Sequence, residues 1–423
     1  MADLIIKGGR VFAPDSIVID DGVVVVDSSL ITFVGKNTGE KADKTIDARG
    51  CAVIPGLINA HTHLPMTLFR GWAGGLPYKE WVKKIREAEM KLTPADIRAG
   101  ANLGVLEMIK SGTTTFADMY IHMDEVASVV EETGMRAALG YGMIEGINED
   151  SDSKLKSREE FNRKWNGAAK GRITAMYAPH SAASCSKEFL AKIREQASND
   201  NTMIHTHVLE TEDELHLMKK RYGMCSVNLL DSIGFLGPDV LAAHCVWLSD
   251  GDIDILKNRK VNVVHCPSSN MALGAGITPV PKMLEKGINV ALGTDGCASG
   301  GSLDMWKDMR MASLVHKLKD PRSMPVEKVM EMATMNGAKA LNIKTGMLKP
   351  GFFADIIIVD LKKPHFISSN LVSSLVHCTG GCDVKSTIVN GKILMEDHKV
   401  KLDEEKIIDD ARKTILNITE NNN

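Results

Sequence analysis

Apolar and polar positions change rhythm twice along this chain. The first 55 residues carry short β-branched runs, LIIKGGRVFA (4–13), VVVVDSSLITFVG (23–35) and TIDARGCAVI (45–54). Asp, Gly and Ser turn signals separate them, which predicts strands. The same texture returns in ADIIIVDL (354–361) and STIVNGKILMED (386–397). Between the two ends the pattern alternates. Apolar runs of strand length recur at 56–63, 113–120, 137–143, 172–180, 202–210, 241–247, 261–267 and 289–296. Helical patterns fill the intervals. PADIRAGANLGVLEMIKSG (94–112) has Thr93 as its cap, Pro94 in the first turn and Gly112 at its end. SKEFLAKIREQAS (186–198) and DELHLMKKRYG (213–223) behave alike.

Eight strands alternating with helices predict an α/β fold, a (β/α)8 TIM barrel over residues 56–345. The two ends, 1–55 and 346–402, are expected to combine into one small β-sandwich domain. Residues 403–423 read as an amphipathic C-terminal helix followed by a polar tail. No fixed-period repeat and no low-complexity linker interrupts the chain.

Composition narrows the class. Of 423 residues, 44% are hydrophobic and 25% charged, which is ordinary for a water-soluble globular protein. A net charge of −3 gives no electrostatic case for nucleic acid or an anionic membrane surface. The start, MADLIIKGGRVFAPD, lacks a signal-peptide pattern, and no apolar stretch is long enough to span a bilayer. The eight cysteines are scattered, mostly in apolar strands, as expected of reduced thiols in a cytoplasmic protein. Cys378 and Cys382 form a lone CxxxC without a second pair, and the 23 methionines read as core fillers.

The chemistry begins at His61-Thr62-His63, in IPGLINAHTHLPMTLFRG (54–71). Residues two apart on a strand face the same side, so both imidazoles could hold one divalent ion. An HxH pair alone also arises by chance. In a barrel the strand C-termini converge, so further ligands can come from distant strands. His207 ends the fifth strand candidate, with Glu210 just beyond it. His244 lies in the sixth, and Asp295, in GTDG, ends the eighth. His61, His63, His207 and Asp295 make an N3O set for a single metal with a position left for water. His244 is either a further ligand or a hydrogen-bonding partner of that water. His205 shares a strand face with His207 and competes with it, but only His207 has a carboxylate just beyond. His265 reads as structural or as a pocket wall. His122, His216, His316, His365, His377 and His398 lack comparable placement.

PGLINAHTH, the distal HxxE, AAHC, HCPSSNMALGAGITPV (265–280), LGTDG and GAKALNIKTGMLKPGFFADIIIVD (337–360) occur in order. In combination they resemble the amidohydrolase superfamily over about residues 3–400. HTHLPMTLFRG and HVLETEDE are most similar to the 5-methylthioadenosine/S-adenosylhomocysteine deaminases and archaeal 5′-deoxyadenosine deaminases. The resemblance implies zinc on His61, His63, His207 and Asp295, with Glu210, His244 and Asp295 catalytic. It implies that Glu89, in EAEMKLTP, grips the ribose hydroxyls and that His180, in APHS, lies near the ribose. It also implies a homo-oligomer, a tetramer being favoured. The fourth strand candidate ends without the Lys that bridges two metals in dinuclear members, which favours one metal ion.

The implied activity is hydrolytic deamination of the adenine ring of 5′-modified adenosines, giving inosine analogues and ammonia. The expected substrates are 5′-deoxyadenosine, 5′-methylthioadenosine and S-adenosylhomocysteine, with adenosine as a further option. A metal ion lowers the pKa of bound water from about 15.7 towards 7 and so supplies the nucleophile. Glu210 would protonate N1, Asp295 would relay the water's proton, and His244 would orient the nucleophile. Related S-adenosylhomocysteine enzymes place Arg near the amino-acid carboxylate, where this chain offers Tyr141 and Lys154, with Arg158 nearby. Lys matches a carboxylate less well than Arg does, so small 5′ groups are favoured. Rival readings are deamination of guanine or cytosine, triazine dechlorination, and a non-catalytic barrel, although the last would have lost ligands that are intact here. Imidazole and carboxylate also serve Fe2+ and Mn2+.

Overall fold

The structure is a computed structural model that describes residues 1–13, 17–146, 150–318, 320–367 and 370–420. The expected polar tail, 421–423, lies outside the described residues. The N-terminal segment forms β1 (Ala2–Phe12), β2 (Val18–Asp27), β3 (Leu30–Gly35), β4 (Ala42–Asp47) and β5 (Cys51–Pro55). β1 serves two neighbours on one edge. Its residues 2–7 pair in parallel with β4, and Arg10 and Val11 pair in parallel with β5. The register slips between Lys7, Gly9 and Val11, where the strand changes partner. Gly9 allows this, since a Cβ there would lie 2.8 Å from Val53 Cγ2.

The chain then enters a parallel sheet of eight strands: β6 (Leu57–Thr62), β7 (Thr113–Tyr120), β8 (Arg136–Met143), β9 (Ile173–Pro179), β10 (Met203–Val208), β11 (Val240–His244), β12 (Asn262–His265) and β13 (Val290–Leu292). All eight fall on the apolar runs read from the sequence. They are hydrogen-bonded in chain order, and the first and last close on each other. Asp295 N donates to His61 O at 3.0 Å and Thr294 N to Asn59 Oδ1 at 3.0 Å, while Asn59 Nδ2 donates to Thr294 Oγ1 at 2.7 Å. Gly293 makes that seam possible, because a Cβ there would stand 2.9 Å from both His61 N and His61 O.

Ile58, Ala60, Ala117, Ala138, Met176, Leu241, Val264 and Ala291 fill the barrel interior, and Ala338, Ala340 and Leu341 join the same cluster. The alternate strand residues pack outward against the helices in a much larger core. Small inward side chains suit a narrow interior. The helix Pro94–Ser111 starts with a Thr93–Asp96 capping box and ends at Gly112 with φ +85°, as its sequence signals require.

The chain finally returns to the first sheet as β14 (Ile356–Asp360), β15 (Val384–Val389), β16 (Lys392–Glu396) and β17 (Lys399–Val400). β14 pairs antiparallel with β5, so both chain ends share one mixed nine-stranded sheet. Leu4, Ile6, Val24, Ile46, Val53, Ile356 and Ile388, from both halves, meet in one core. The small domain is thus a single continuous sheet around an internal core, rather than two separately bonded sheets. The helix Glu404–Glu420 follows and packs on Pro94–Ser111. Among the described residues no helix is long and apolar enough to cross a membrane.

Candidate metal and active site

The strand ends deliver five acid–base side chains to one point. In β6, the four residues Asn59 to Thr62 stand opposite three, Phe116 to Asp118. The extra residue is a bulge, and it places His61 on the inner face directly after the inward Ala60. His63 follows just beyond the strand. His61 Nε2 lies 3.5 Å from Asp295 Oδ1, His63 Nε2 lies 3.3 Å from the same oxygen, and His207 Nε2 lies 3.4 Å from His63 Nε2. Ligands about 2.0–2.2 Å from a tetrahedral ion would be spaced by about 3.3–3.6 Å. His61, His207 and His244 form a second converging trio.

Each imidazole is held by its other nitrogen. His63 Nδ1 donates to Met119 O at 2.5 Å and His207 Nδ1 to His180 O at 2.7 Å. His61 Nδ1 lies 2.7 Å from His205 Nε2, and His244 Nδ1 lies 2.9 Å from Asn270 Oδ1. These contacts fix the tautomers that leave each Nε2 lone pair facing the centre. His61 Nε2 is buried and has no hydrogen-bond partner among the described residues. A buried orphan acceptor is costly unless something fills its direction, and a divalent ion among these four side chains would do so. The residues present fit that ion.

Electrostatics agree. Burial pushes His61 down to about 4 and His207 well below the usual imidazole range, so both offer lone pairs at neutral pH. Burial alone would raise the Asp295 carboxyl. His61 and the other imidazoles outweigh it and hold Asp295 well below the carboxylate range. Asp295 Oδ2 accepts from Ser269 Oγ at 2.5 Å and Ser299 Oγ at 3.2 Å, and Oδ1 accepts from Gly296 N at 2.7 Å. Leu209, His244, Cys245 and Asp295 all have positive φ, from +47° to +69°. Non-glycine strain of this kind, gathered at one barrel mouth, marks a site whose side-chain directions are enforced by the surroundings.

The family model for the amidohydrolase family matches residues 52–394. The chain belongs to the amidohydrolase family. Over 420 residues, 97% of each chain, it is 55% identical to a protein named 5′-deoxyadenosine deaminase from Methanosarcina acetivorans. It is 44% identical, over 99% of each chain, to a 5-methylthioadenosine/S-adenosylhomocysteine deaminase from Pelotomaculum thermopropionicum. Among solved structures it is similar to a zinc-bound adenosine deaminase from Xanthomonas campestris, with a TM-score of 0.96, 29% identity and 99% of both chains covered.

In this amidohydrolase Glu210 stands beside the cluster. Burial raises its carboxyl, opposed by His244 and abetted by Asp295. Burial lowers His244, but Glu210 and Asp295 reverse that and the net shift is upward. Glu89 ends the helix Tyr78–Glu89, half-buried, with burial raising its carboxyl while Tyr120 and His63 draw it back. The His180 ring centroid lies 4.6 Å from that of His207, and burial depresses His180 to about 3. The sequence-predicted set therefore meets around one barrel mouth.

The other histidines do not converge there. His265 follows the inward Val264 and faces the helix layer, its ring 5.3 Å from His316. Cys378 and Cys382 are exposed free thiols. Three supporting residues escaped the sequence reading. Asn270 and Ser269 lie in the HCPSSN run, whose polar side chains at a strand end were a usable signal. Tyr78, whose hydroxyl donates to Glu210 Oε2 at 3.1 Å, gave none.

Proposed function

We propose that this chain hydrolytically deaminates the adenine ring of 5′-modified adenosines, with one divalent ion, Zn2+, held by His61, His63, His207 and Asp295. The carrying observation is a half-buried carboxyl, Glu210, held by the Tyr78 hydroxyl beside a cluster spaced for one ion. Full-length similarity to relatives named as such deaminases supports it. When bound, the ion supplies a nucleophilic water at neutral pH.

The chain's own residues do the rest. Glu210 donates its proton to ring N1 as the water oxygen bonds to C6. Asp295 takes one proton from that water and passes it to the exocyclic amine, which leaves as ammonia when the C6–N bond breaks. The remaining hydroxyl proton returns to Glu210, and C6 becomes a carbonyl. His244, fixed by Asn270, orients the attacking oxygen through Nε2. Glu89 and His180 bind the ribose.

Both cations at the expected 5′ end are engaged with their own loop. The Arg158 guanidinium sits 3.9 Å from the Tyr141 ring centroid and donates to Gly142 O at 3.2 Å. Lys154 is buried, with Nζ on Ile144 O. This supports small 5′ groups, 5′-deoxyadenosine and 5′-methylthioadenosine, over S-adenosylhomocysteine. We assign the catalytic unit to residues 56–345, the companion sheet to 1–55 and 346–402, and a C-terminal helix and tail to 403–423. Family resemblance further supports a cytoplasmic homo-oligomer, a tetramer being favoured.

The test is ammonia release from the three 5′-modified nucleosides, adenosine, guanine and cytosine, with metal content measured on the same sample. The expected result is turnover of nucleosides but not free bases, with about one zinc per subunit. A more than tenfold preference for S-adenosylhomocysteine would overturn the substrate ranking, and turnover of a free base alone would overturn the reaction.

A further inference from the structure

The helix Tyr78–Glu89 reaches the site at both ends. Its last residue, Glu89, carries the ribose assignment, and its first, Tyr78, touches Glu210. The Tyr78 hydroxyl donates to Glu210 Oε2 at 3.1 Å, and among the described residues it is the donor seen on that carboxyl. The ring is anchored from its own helix. Tyr78 and Trp81 lie nearly parallel, with centroids 6.3 Å apart, and the Trp81 indole N–H donates to Ala298 O at 3.1 Å. Ala298 belongs to the short helix Cys297–Gly300 that follows Asp295. Tyr78 is therefore tied to the same strand end that carries the metal-type cluster.

The Glu210 backbone is fixed separately. Leu209, at φ +47°, turns the chain, and its carbonyl accepts from Val246 N and Trp247 N, both at 3.0 Å. Glu210 N donates to Glu214 Oε2 at 3.1 Å. These contacts set the Cα position but leave the carboxyl free to rotate, and the Tyr78 contact removes that freedom.

We propose that Tyr78 is a positioning residue for the deamination step, one that holds Glu210 Oε2 so that Oε1 carries the proton to the ring nitrogen. The proposal rests on the reading of Glu210 as the acid that protonates N1. In that step the Glu210 Oε1–H bond breaks, the N1–H bond forms, and negative charge appears on the carboxylate. Tyr78 keeps its own proton throughout, because burial and the neighbouring Glu210 make its phenol far less acidic than usual. A hydrogen bond to a charged carboxylate is stronger than one to a neutral carboxyl. The Tyr78 contact therefore strengthens as the proton leaves, and it favours the transition state over the ground state.

The experiment compares wild type, Tyr78→Phe, and protein carrying fluorinated tyrosines of graded acidity at position 78, all full-length and zinc-loaded, on 5′-deoxyadenosine. The expected result for Tyr78→Phe is a fall in kcat of about tenfold, equivalent to about 1.4 kcal/mol. KM and zinc content should stay within about twofold of wild type. In the fluorotyrosine series kcat should change progressively with phenol acidity, which a purely packing role would not produce. A Tyr78→Phe kcat within about twofold of wild type, or a flat fluorotyrosine series, would overturn the proposal alone. A wild type that releases no ammonia from any adenosine would overturn the deaminase reading, and this proposal with it.

Discussion

His205 Nε2 stands 2.7 Å from His61 Nδ1, with both rings fully buried beneath the metal-type cluster. The contact makes His205 the orienting partner of a ligand rather than a ligand itself. It fixes the His61 tautomer so that Nε2 faces the centre. Removing such a partner typically weakens metal binding by about 10–100-fold. His205→Ala should therefore lower zinc affinity by that order, measured by competition with a chromophoric chelator. An unchanged affinity would show that His61 is oriented by packing alone.

Glu210→Gln separates chemistry from binding. The amide is nearly isosteric and can still accept from Tyr78, but it has no carboxyl proton to give N1. Turnover of 5′-deoxyadenosine should fall by about 10²–10⁴-fold. Zinc content and the dissociation constant of the substrate should stay close to wild type. Near-normal turnover would remove Glu210 from the acid's role.

The barrel was legible because each ligand rides at the end of an apolar run, and eight such runs converge by the geometry of the fold. His61, His207, His244 and Asp295 each sit near the C-terminal end of a strand element. The bulge that turns His61 inward was not legible, since it arises from the pairing of β6 with β7 and leaves no local mark. Tyr78 was invisible for a related reason. It is the first turn of an unremarkable polar helix, and only tertiary packing brings it to Glu210. Glu89 looks like surface charge by periodicity, and only resemblance singled it out. The small domain showed its strands but hid that β1 serves two neighbours, because Gly9 signals a slip without naming the partners.

The buried imidazoles should add acid sensitivity to the metal-free protein well above the usual carboxylate range. Burial holds His61 and His316 at about 4 and His180 at about 3, against 6.5 for a free imidazole. At these three rings the unfolded chain binds more protons than the folded one between pH 6.5 and about 4, so their share of stability falls as pH drops through that window, while burial raises Asp118 and Asp308 to about 7 and those carboxyls work in the opposite direction. Chelator-treated His316→Gln protein should therefore lose less Tm between pH 7 and pH 4.5 than chelator-treated wild type. An equal loss in both would mean that the His316 ring is already protonated in the folded state.

The two domains are joined by a buried ion pair. Arg136, at the start of β8, donates from Nε to Asp355 Oδ2 at 2.8 Å and from Nη2 to Asp355 Oδ1 at 3.3 Å and Asn390 Oδ1 at 2.9 Å. Asn390 N donates to Asp355 Oδ1 at 2.7 Å, and the guanidinium carbon lies 4.3 Å from the Phe353 ring centroid. Both charged side chains are almost wholly buried, at 2% and 0% exposure. Removing one partner strands the other charge in a buried interface, which costs about 3–5 kcal/mol, whereas replacing both by apolar groups can be close to neutral. Arg136→Met and Asp355→Leu should each lower unfolding stability by about that amount, and the double variant should lose much less than their sum. Urea titrations followed by fluorescence and far-UV circular dichroism would measure all three. Additive losses would mean that the pair is not coupled and that apolar packing of Ile54, Ile357 and Val384 holds the sheet domain against the barrel.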